Sequence, residues 1–524
     1  MALSKPNGRY GRRRYDARRW QNRRWRQVRV LDPQTAPAVA ADQSDEDETR
    51  EGTESDELLP TVYVGPRVLV PRSAAKSGVL ELLAAAAEDL GWKLLPPKED
   101  DRTKELPDGV IVLTIVVDKG ISPRPPDGYL LMQQARSRIH DENRAAIRFA
   151  SLDHVLQAAP GFDAAPLHDA HPLHDAHPLH DAHPAMSYLD IGAGGRIPVS
   201  YVGPPPHRRK DHELPGRRPV VAILDTGCGK HEWLDDIVAT KVTLGGDTIG
   251  YDEVATAPDE GSGDVSGPED GAIDPLSGHG TFIAGLVHQA CPDADIVSWR
   301  IVPSDGPIAQ SDLVVALQQI AELAKRYRID HGKQPIDVLN LSMGYYHESP
   351  KDAMTFDPLM TDVLKTLAEY GVVVVTSAGN DCTDRPCFPA AFSGSASDLP
   401  VVSVGALNPN GTTDALFSNV GDWVTDYARG AAVFSTMPVT FSGGLEPVAR
   451  WEYDGRPREA LDPDDYKGGF GLWSGTSFAA PVVAGKIAQQ MIDHMEKSGK
   501  VDDPKTARSK CHDAVKAFRA LPAS

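Results

Sequence analysis

Apolar and polar positions alternate in two patterned regions of the chain, separated and preceded by stretches with no such pattern. In the first region, Val62 to Val70 reads as a strand. Ser77 to Trp92 places Val79, Leu82, Leu83, Ala86 and Leu90 at helical spacing. Gly109 to Asp118 is a β-branched strand, and a second helix is expected between Asp127 and Ile139. This β-α-β-β-α order predicts a small α+β domain over residues 60–155. In the second region, 215–524, apolar runs at Val220–Asp225, Ile336–Ser342, Val372–Thr376 and Val401–Val404 alternate with helical patterns. The helices are expected at Ser311–Tyr327, through Leu313, Leu317, Ile320, Ala324 and Tyr327, and at Leu359–Tyr370. Strands apolar on both faces, alternating with helices, predict an α/β fold with a parallel sheet flanked by helices.

The unpatterned stretches have their own character. Residues 1–59 read as a disordered tail, first basic and then acidic. Its start interleaves Arg12, Arg13, Arg14, Arg18, Arg19, Arg23 and Arg24 with Tyr15, Trp20 and Trp25. A solvated tail, a nucleic-acid or anionic-surface contact, and a contact with the acidic stretch Asp42–Glu57 are the readings open to it. Residues 156–214 read as a linker. Within it, Pro166-Leu167-His168-Asp169-Ala170-His171 recurs at Pro172 and Pro178, which puts histidine at every third position. In a polyproline II helix these histidines share a face about 9 Å apart. Two neighbours then do not chelate one ion, which favours a semi-rigid spacer over metal binding or pH sensing.

The 524 residues fit roughly two domains plus tails. A formal net charge of −20 disfavours nonspecific nucleic-acid binding by the body of the protein. No apolar run spans a membrane and the first residues carry no apolar signal segment, so no membrane partner and a cytoplasmic location are expected. The five cysteines are then expected as free thiols, although Cys382 and Cys387 are close enough to bridge a loop; Cys228 reads as a small buried residue.

Four short motifs carry candidate chemistry. Val220–Gly227 is a buried strand ending in the carboxylate of Asp225 and a turn. Ser277–Gly285 sets His279 between two glycines at the start of an apolar helix. Val372–Asn380 is a strand running into the amide of Asn380. Gly475-Thr476-Ser477-Phe478-Ala479-Ala480-Pro481 sets one hydroxyl, Ser477, among small residues at the start of a buried helix. Taken alone, Ser477 reads equally well as a helix cap. A serine hydroxyl is a weak nucleophile until a base removes its proton, and histidine is the side chain suited to that near neutral pH.

The order Asp, His, Asn, Ser and the surroundings of each residue closely resemble the subtilisin-like serine peptidases. The resemblance covers 215–524. It implies a subtilisin-like sheet and a serine endopeptidase acting on protein or peptide substrates. Asp225 would orient His279, His279 would transfer protons, Ser477 would attack, and Asn380 with the Ser477 N–H would hold the oxyanion. Ser342-Met343-Gly344 resembles the edge segment that pairs with the substrate backbone; by itself it is also simply a strand end. No metal and no required cofactor are expected. Calcium is common in that family, but the acidic segment Gly246–Asp274 lacks ordered calcium-loop spacing and reads as a solvated loop. Phe434-Ser435-Thr436 also matches, followed by a long polar insertion at about Gly443–Gly469. Such enzymes often carry an inhibitory prodomain, and residues 60–155 match one in element order, with a targeting or partner-binding domain as the alternative. The rival reading of the whole chain is an inactive or tethered binding protein whose arginine-rich tail recruits nucleic acid or an acidic partner.

Overall fold

The computed structural model describes residues 27–33, 58–96, 109–118, 124–139, 146–157, 196–251, 260–264, 273–302, 307–393, 401–443, 449–497 and 500–521. The arginine-rich stretch up to Arg26, the acidic stretch 42–57 and the histidine repeat lie outside them.

A seven-stranded sheet forms the larger domain. Its order is Asp426–Arg429, Val401–Leu407, Val373–Ser377, Val338–Leu341, Val220–Asp225, Asp295–Arg300 and Val238–Ala239. Every pairing is parallel. Val220–Asp225 is buried along its whole length, as a strand covered on both faces requires. Helices Gln310–Asp330 and Pro358–Glu369 pack together on one side. Helices His279–Ala290 and Thr476–Met491 pack together within the second core. The expected helix and strand positions are found with ends shifted by a few residues. In a parallel sheet all strands end on one edge, so Asp225, Ser342 and Asn380, which follow neighbouring strands, arrive at the same carboxyl edge.

The N-terminal module is larger than its sequence pattern indicates. Its antiparallel sheet runs Trp92–Leu94, Val110–Val117, Thr61–Pro71, Ser151–Gln157, with helices Val79–Asp89 and Gly128–Ser137 packed together. Val28–Leu31, expected within a tail, pairs with Thr61–Val64 of this sheet. Four residues flanked by polar chain give too little periodicity to read; pairing with a preformed strand supplies the order. The last strand reaches Gln157, beyond the expected end at 155, and pairs antiparallel with Pro307–Ala309 of the larger domain. One sheet therefore crosses from the module into the larger domain.

The expected linker 156–214 also ends early. Ile197–Ser200 pairs with Gly469–Trp473, which in turn pairs with Val433–Thr436. The polar insertion contains the hairpin Ala449–Tyr453 and Arg456–Ala460. The acidic segment is not wholly solvated, since Glu260 and Asp274 are buried. All five cysteines are free, and Cys228 is buried. Among the described residues, no helix is long and apolar enough to cross a membrane.

Candidate active site

Asp225 ends its strand with its carboxylate fully buried. One oxygen accepts the Thr226 N–H at 2.8 Å and a bond of 2.7 Å from His279 Nδ1. His279 begins its helix directly after Gly278, whose φ of 85° lies in the left-handed region. A side chain at Gly280 would collide with the Gly227 carbonyl, so this glycine lets the His279 helix approach the turn after Asp225. Thr226 Oγ1 accepts the Gly280 N–H at 2.9 Å and ties the two motifs again.

Behind the pair lies a carboxylate that sequence reading placed in a solvated loop. Glu260 accepts the Gly278 N–H at 2.9 Å and the Thr281 hydroxyl at 2.8 Å. Thr281 Oγ1 in turn accepts the Gly229 N–H at 2.8 Å. Burial pushes the Glu260 carboxyl above its ordinary value, against the opposing charge of Arg300 and these donors. Aromatic rings wall the imidazole. Trp473 meets it edge-on at 5.5 Å and Phe478 lies at 5.1 Å. Arg196 lies over Trp473 and donates to the carbonyls of Ile273, Asp274 and Ser277.

Ser477 is the second residue of the Thr476–Met491 helix and is fully buried. Pro481 inside that helix has no N–H, so the Ser477 carbonyl lacks its usual donor four residues on. Ser342 Oγ donates to that carbonyl instead at 2.9 Å, and Asn340 Nδ2 donates to Ser342 Oγ at 2.9 Å. The strand-end serine thus acts on the Ser477 turn rather than lining an open surface. Asn380 is anchored on the other side: its Oδ1 accepts both the N–H and the hydroxyl of Thr476 at 2.8 Å. With the oxygen so held, Nδ2 points the other way, toward the side of Gly475 where a Cβ would sit. The structure therefore brings all four motifs together. Ser477 Oγ and His279 Nε2 are both buried, and neither has a hydrogen-bond partner among the described residues.

The edge segment lies against the N-terminal module. Ser342 and Met343 are buried, and Gly344 exchanges two backbone bonds of 3.0 Å with Gln157 of the N-terminal module. The strand Ser151–Gln157 lies between this edge and Pro307–Ala309. Leu156 is fully buried in the core that contains Ile308, Leu313 and Met343. Gln157, Glu260, Thr476 and Trp473 were not singled out from sequence. Only Thr476, inside the serine motif, offered a local signal.

Comparison with known proteins gives the family of the larger domain. Residues 216–504, more than half of the chain, match the model of the subtilase family, Peptidase_S8. The subtilase-type proteinase RRT12 of Saccharomyces cerevisiae is 25% identical over 283 residues, 53% of this chain and 44% of that protein. The serine protease AprX of Bacillus subtilis is 25% identical over 301 residues, 53% of this chain and 58% of that protein. The major intracellular serine protease of the same bacterium is 24% identical over 288 residues, 52% of this chain and 68% of that protein. The matched region spans about half the length of the first two relatives. With a family match over most of its larger domain, the chain belongs to the subtilase family.

Proposed function

We propose that the protein is a serine endopeptidase that hydrolyses peptide bonds of protein or peptide substrates through an acyl-enzyme. The observation that carries this reading is the buried Asp225–His279 bond of 2.7 Å, set beside Ser477 at a helix N-terminus. With its Nδ1–H held in a hydrogen bond to the Asp225 carboxylate, the imidazole presents a bare Nε2 as the base that takes the Ser477 hydroxyl proton. Attack on the substrate carbonyl makes a tetrahedral oxyanion. The Asn380 Nδ2 group and the Ser477 N–H are the donors for it, helped by the positive end of the helix dipole. His279 then gives its proton to the leaving amine, and water releases the acyl group by the reverse sequence. The roles of Asp225, His279, Asn380 and Ser477, and of Ser342-Met343-Gly344 as the substrate edge, belong to this proposal. So does a cytoplasmic location, in keeping with the intracellular relative.

The N-terminal module restrains the enzyme in the state described. Support comes from Gln157, whose backbone occupies both bonding groups of Gly344, the edge a substrate would need. The test is labelling of Ser477 by a fluorophosphonate probe, with cleavage of a peptide library mapped by mass. Ser477→Ala should lose both signals. Labelling and cleavage that persist in that variant would refute the assignment.

A further inference from the structure

At the seam between the module and the larger domain, His154 from the strand Ser151–Gln157 meets His347 and Glu348. The His154 ring is fully buried. Its Nδ1 lies 2.7 Å from Gln310 Oε1 and its Nε2 lies 2.7 Å from Glu348 Oε2. The Gln310 amide is oriented by its other end, because Nε2 donates to the Tyr345 hydroxyl at 3.1 Å. Gln310 Oε1 is therefore an acceptor, and His154 Nδ1 carries the proton. That leaves Nε2 facing a carboxylate oxygen, which demands a cation between or upon them. His347 stands beside the same oxygen: its Nδ1 lies 3.5 Å from Glu348 Oε2 and accepts the Ser349 N–H at 2.9 Å. A proton on His154 would answer the first contact alone. A divalent ion would draw on all three side chains, its bond to His347 Nδ1 taking the place of the Ser349 N–H.

We propose that His154, His347 and Glu348 form a binding site for one divalent transition-metal ion of the zinc type. The three donor atoms lie within 4.8 Å of one another. Two imidazoles and one carboxylate, with a water as fourth ligand, are a donor set suited to zinc. Tetrahedral bonds of about 2.0–2.1 Å put ligand atoms roughly 3.3 Å apart, so the cluster needs a small rearrangement and no change of fold. The Gln310 carbonyl, holding the far nitrogen of His154, is the outer partner that fixes a ligating imidazole. A cavity of about 400 Å³ reaches the cluster and supplies the water and a route for the ion. Its lining includes His347 and Glu348, and sets Asp352 and Asp357 against Arg136 and Arg148. Because His154 belongs to the module and its two partners to the larger domain, the ion would fasten one to the other. None of the three residues is in the proposed triad, so the inference stands whether or not the catalytic reading does.

The experiment uses the full chain with Ser477→Ala, and with His168, His171, His174, His177, His180 and His183 replaced by glutamine to silence the repeat. Cobalt(II) is titrated near neutral pH and its visible d–d bands are recorded. One equivalent should give the strong bands of a four-coordinate ion, and zinc should displace it. His154→Ala and His347→Ala should abolish the bands, and Gln310→Ala should keep them at an affinity about 10–100-fold weaker. Absence of cobalt binding by the parent chain would overturn the proposal. So would undiminished binding in His154→Ala. Should that variant fail to fold by circular dichroism, the isosteric Glu348→Gln decides: loss of the bands supports the site, and parental affinity refutes it.

Discussion

The fold spends two side chains on the position of one carbonyl. Pro481 removes the donor that would satisfy Ser477 O, and Ser342, 135 residues earlier, restores it. Ser342→Ala should therefore leave a buried acceptor unpaired, at about 1–3 kcal/mol, and lower the melting temperature while also cutting kcat. A variant with unchanged melting and full turnover would show that the turn holds without this bond. Asn380 is similarly prepared. Thr476 occupies its oxygen with two donors, which leaves the nitrogen for the reaction. Such a donor acts chiefly once the carbonyl has become tetrahedral, so Asn380→Ala should reduce kcat by about 10²–10³ with little change in KM, a magnitude known from subtilisin itself. Steady-state kinetics on any peptide found to be cut makes the distinction; an effect confined to KM would reject the role.

At the scale of elements, the strand Ser151–Gln157 joins the module to the larger domain, pairing with Pro307–Ala309 and bridging to Gly344. The helix Gln310–Asp330 has no side-chain cap of its own. Asp153 supplies one from the module, accepting the Ser311 N–H at 2.9 Å and its hydroxyl at 3.0 Å, while pairing with Arg67 at 3.0 Å. This carboxylate is fully buried, so Asp153→Ala strands the helix end and deprives Arg67 of this partner. The expected outcome is a module that inhibits the domain from about Arg196 onward, added in trans, at least tenfold less tightly than the unaltered module does. The module for that assay should run from about Val28 to Gln157, since the outer strands at both ends belong to its sheet. Equal inhibition by the two modules would remove Asp153 from the interface account.

Two expectations belong to the whole molecule. The chain leaves the described residues at Gln157, beside Gly344, and returns at Arg196, bonded to carbonyls just before His279. The two ends of the intervening stretch therefore flank the proposed triad. We expect self-cleavage to fall within 158–195, because the described residues directly beside that stretch, Ser151–Gln157 and Ile197–Ser200, are held in sheets. Intact mass of the wild type beside Ser477→Ala tests this; identical full-length masses after prolonged incubation would exclude it. The second expectation concerns acid. Burial, then the charge of Arg208, lowers His288 from its ordinary value to about 4. A lowered histidine means that the unfolded chain takes up the proton first. The stability that this group protects is complete above about pH 6.5 and is lost as pH falls toward 4. Asp337 adds a loss at still lower pH. Burial raises its carboxyl, but Arg217 and Arg328 outweigh that and hold it below the usual range. Melting temperature should fall across the first window in wild type, and His288→Gln should flatten that part of the curve. An unchanged slope in the variant would assign the loss elsewhere.

What the sequence determined by itself was whatever is local. Continuous apolar runs made the parallel strands legible, helical spacing marked Ser311–Tyr327, and glycine-flanked polar residues at element ends marked Asp225, His279, Asn380 and Ser477. Each of these signals lies within about a dozen neighbouring residues, where backbone geometry alone sets the pattern. What only the tertiary structure decided joins distant residues. Examples are Gln157 on the edge at Gly344, the Ser342 bond to Ser477, the burial of Glu260 behind His279, and His154 against Glu348, 194 residues away. Val28–Leu31 became a strand for the same reason, because a partner strand was waiting for it. The physical cause is that a backbone edge or a single polar side chain has no periodicity to announce its partner. Its pairing is chosen by how the packed sheets and helices bring the chain back upon itself.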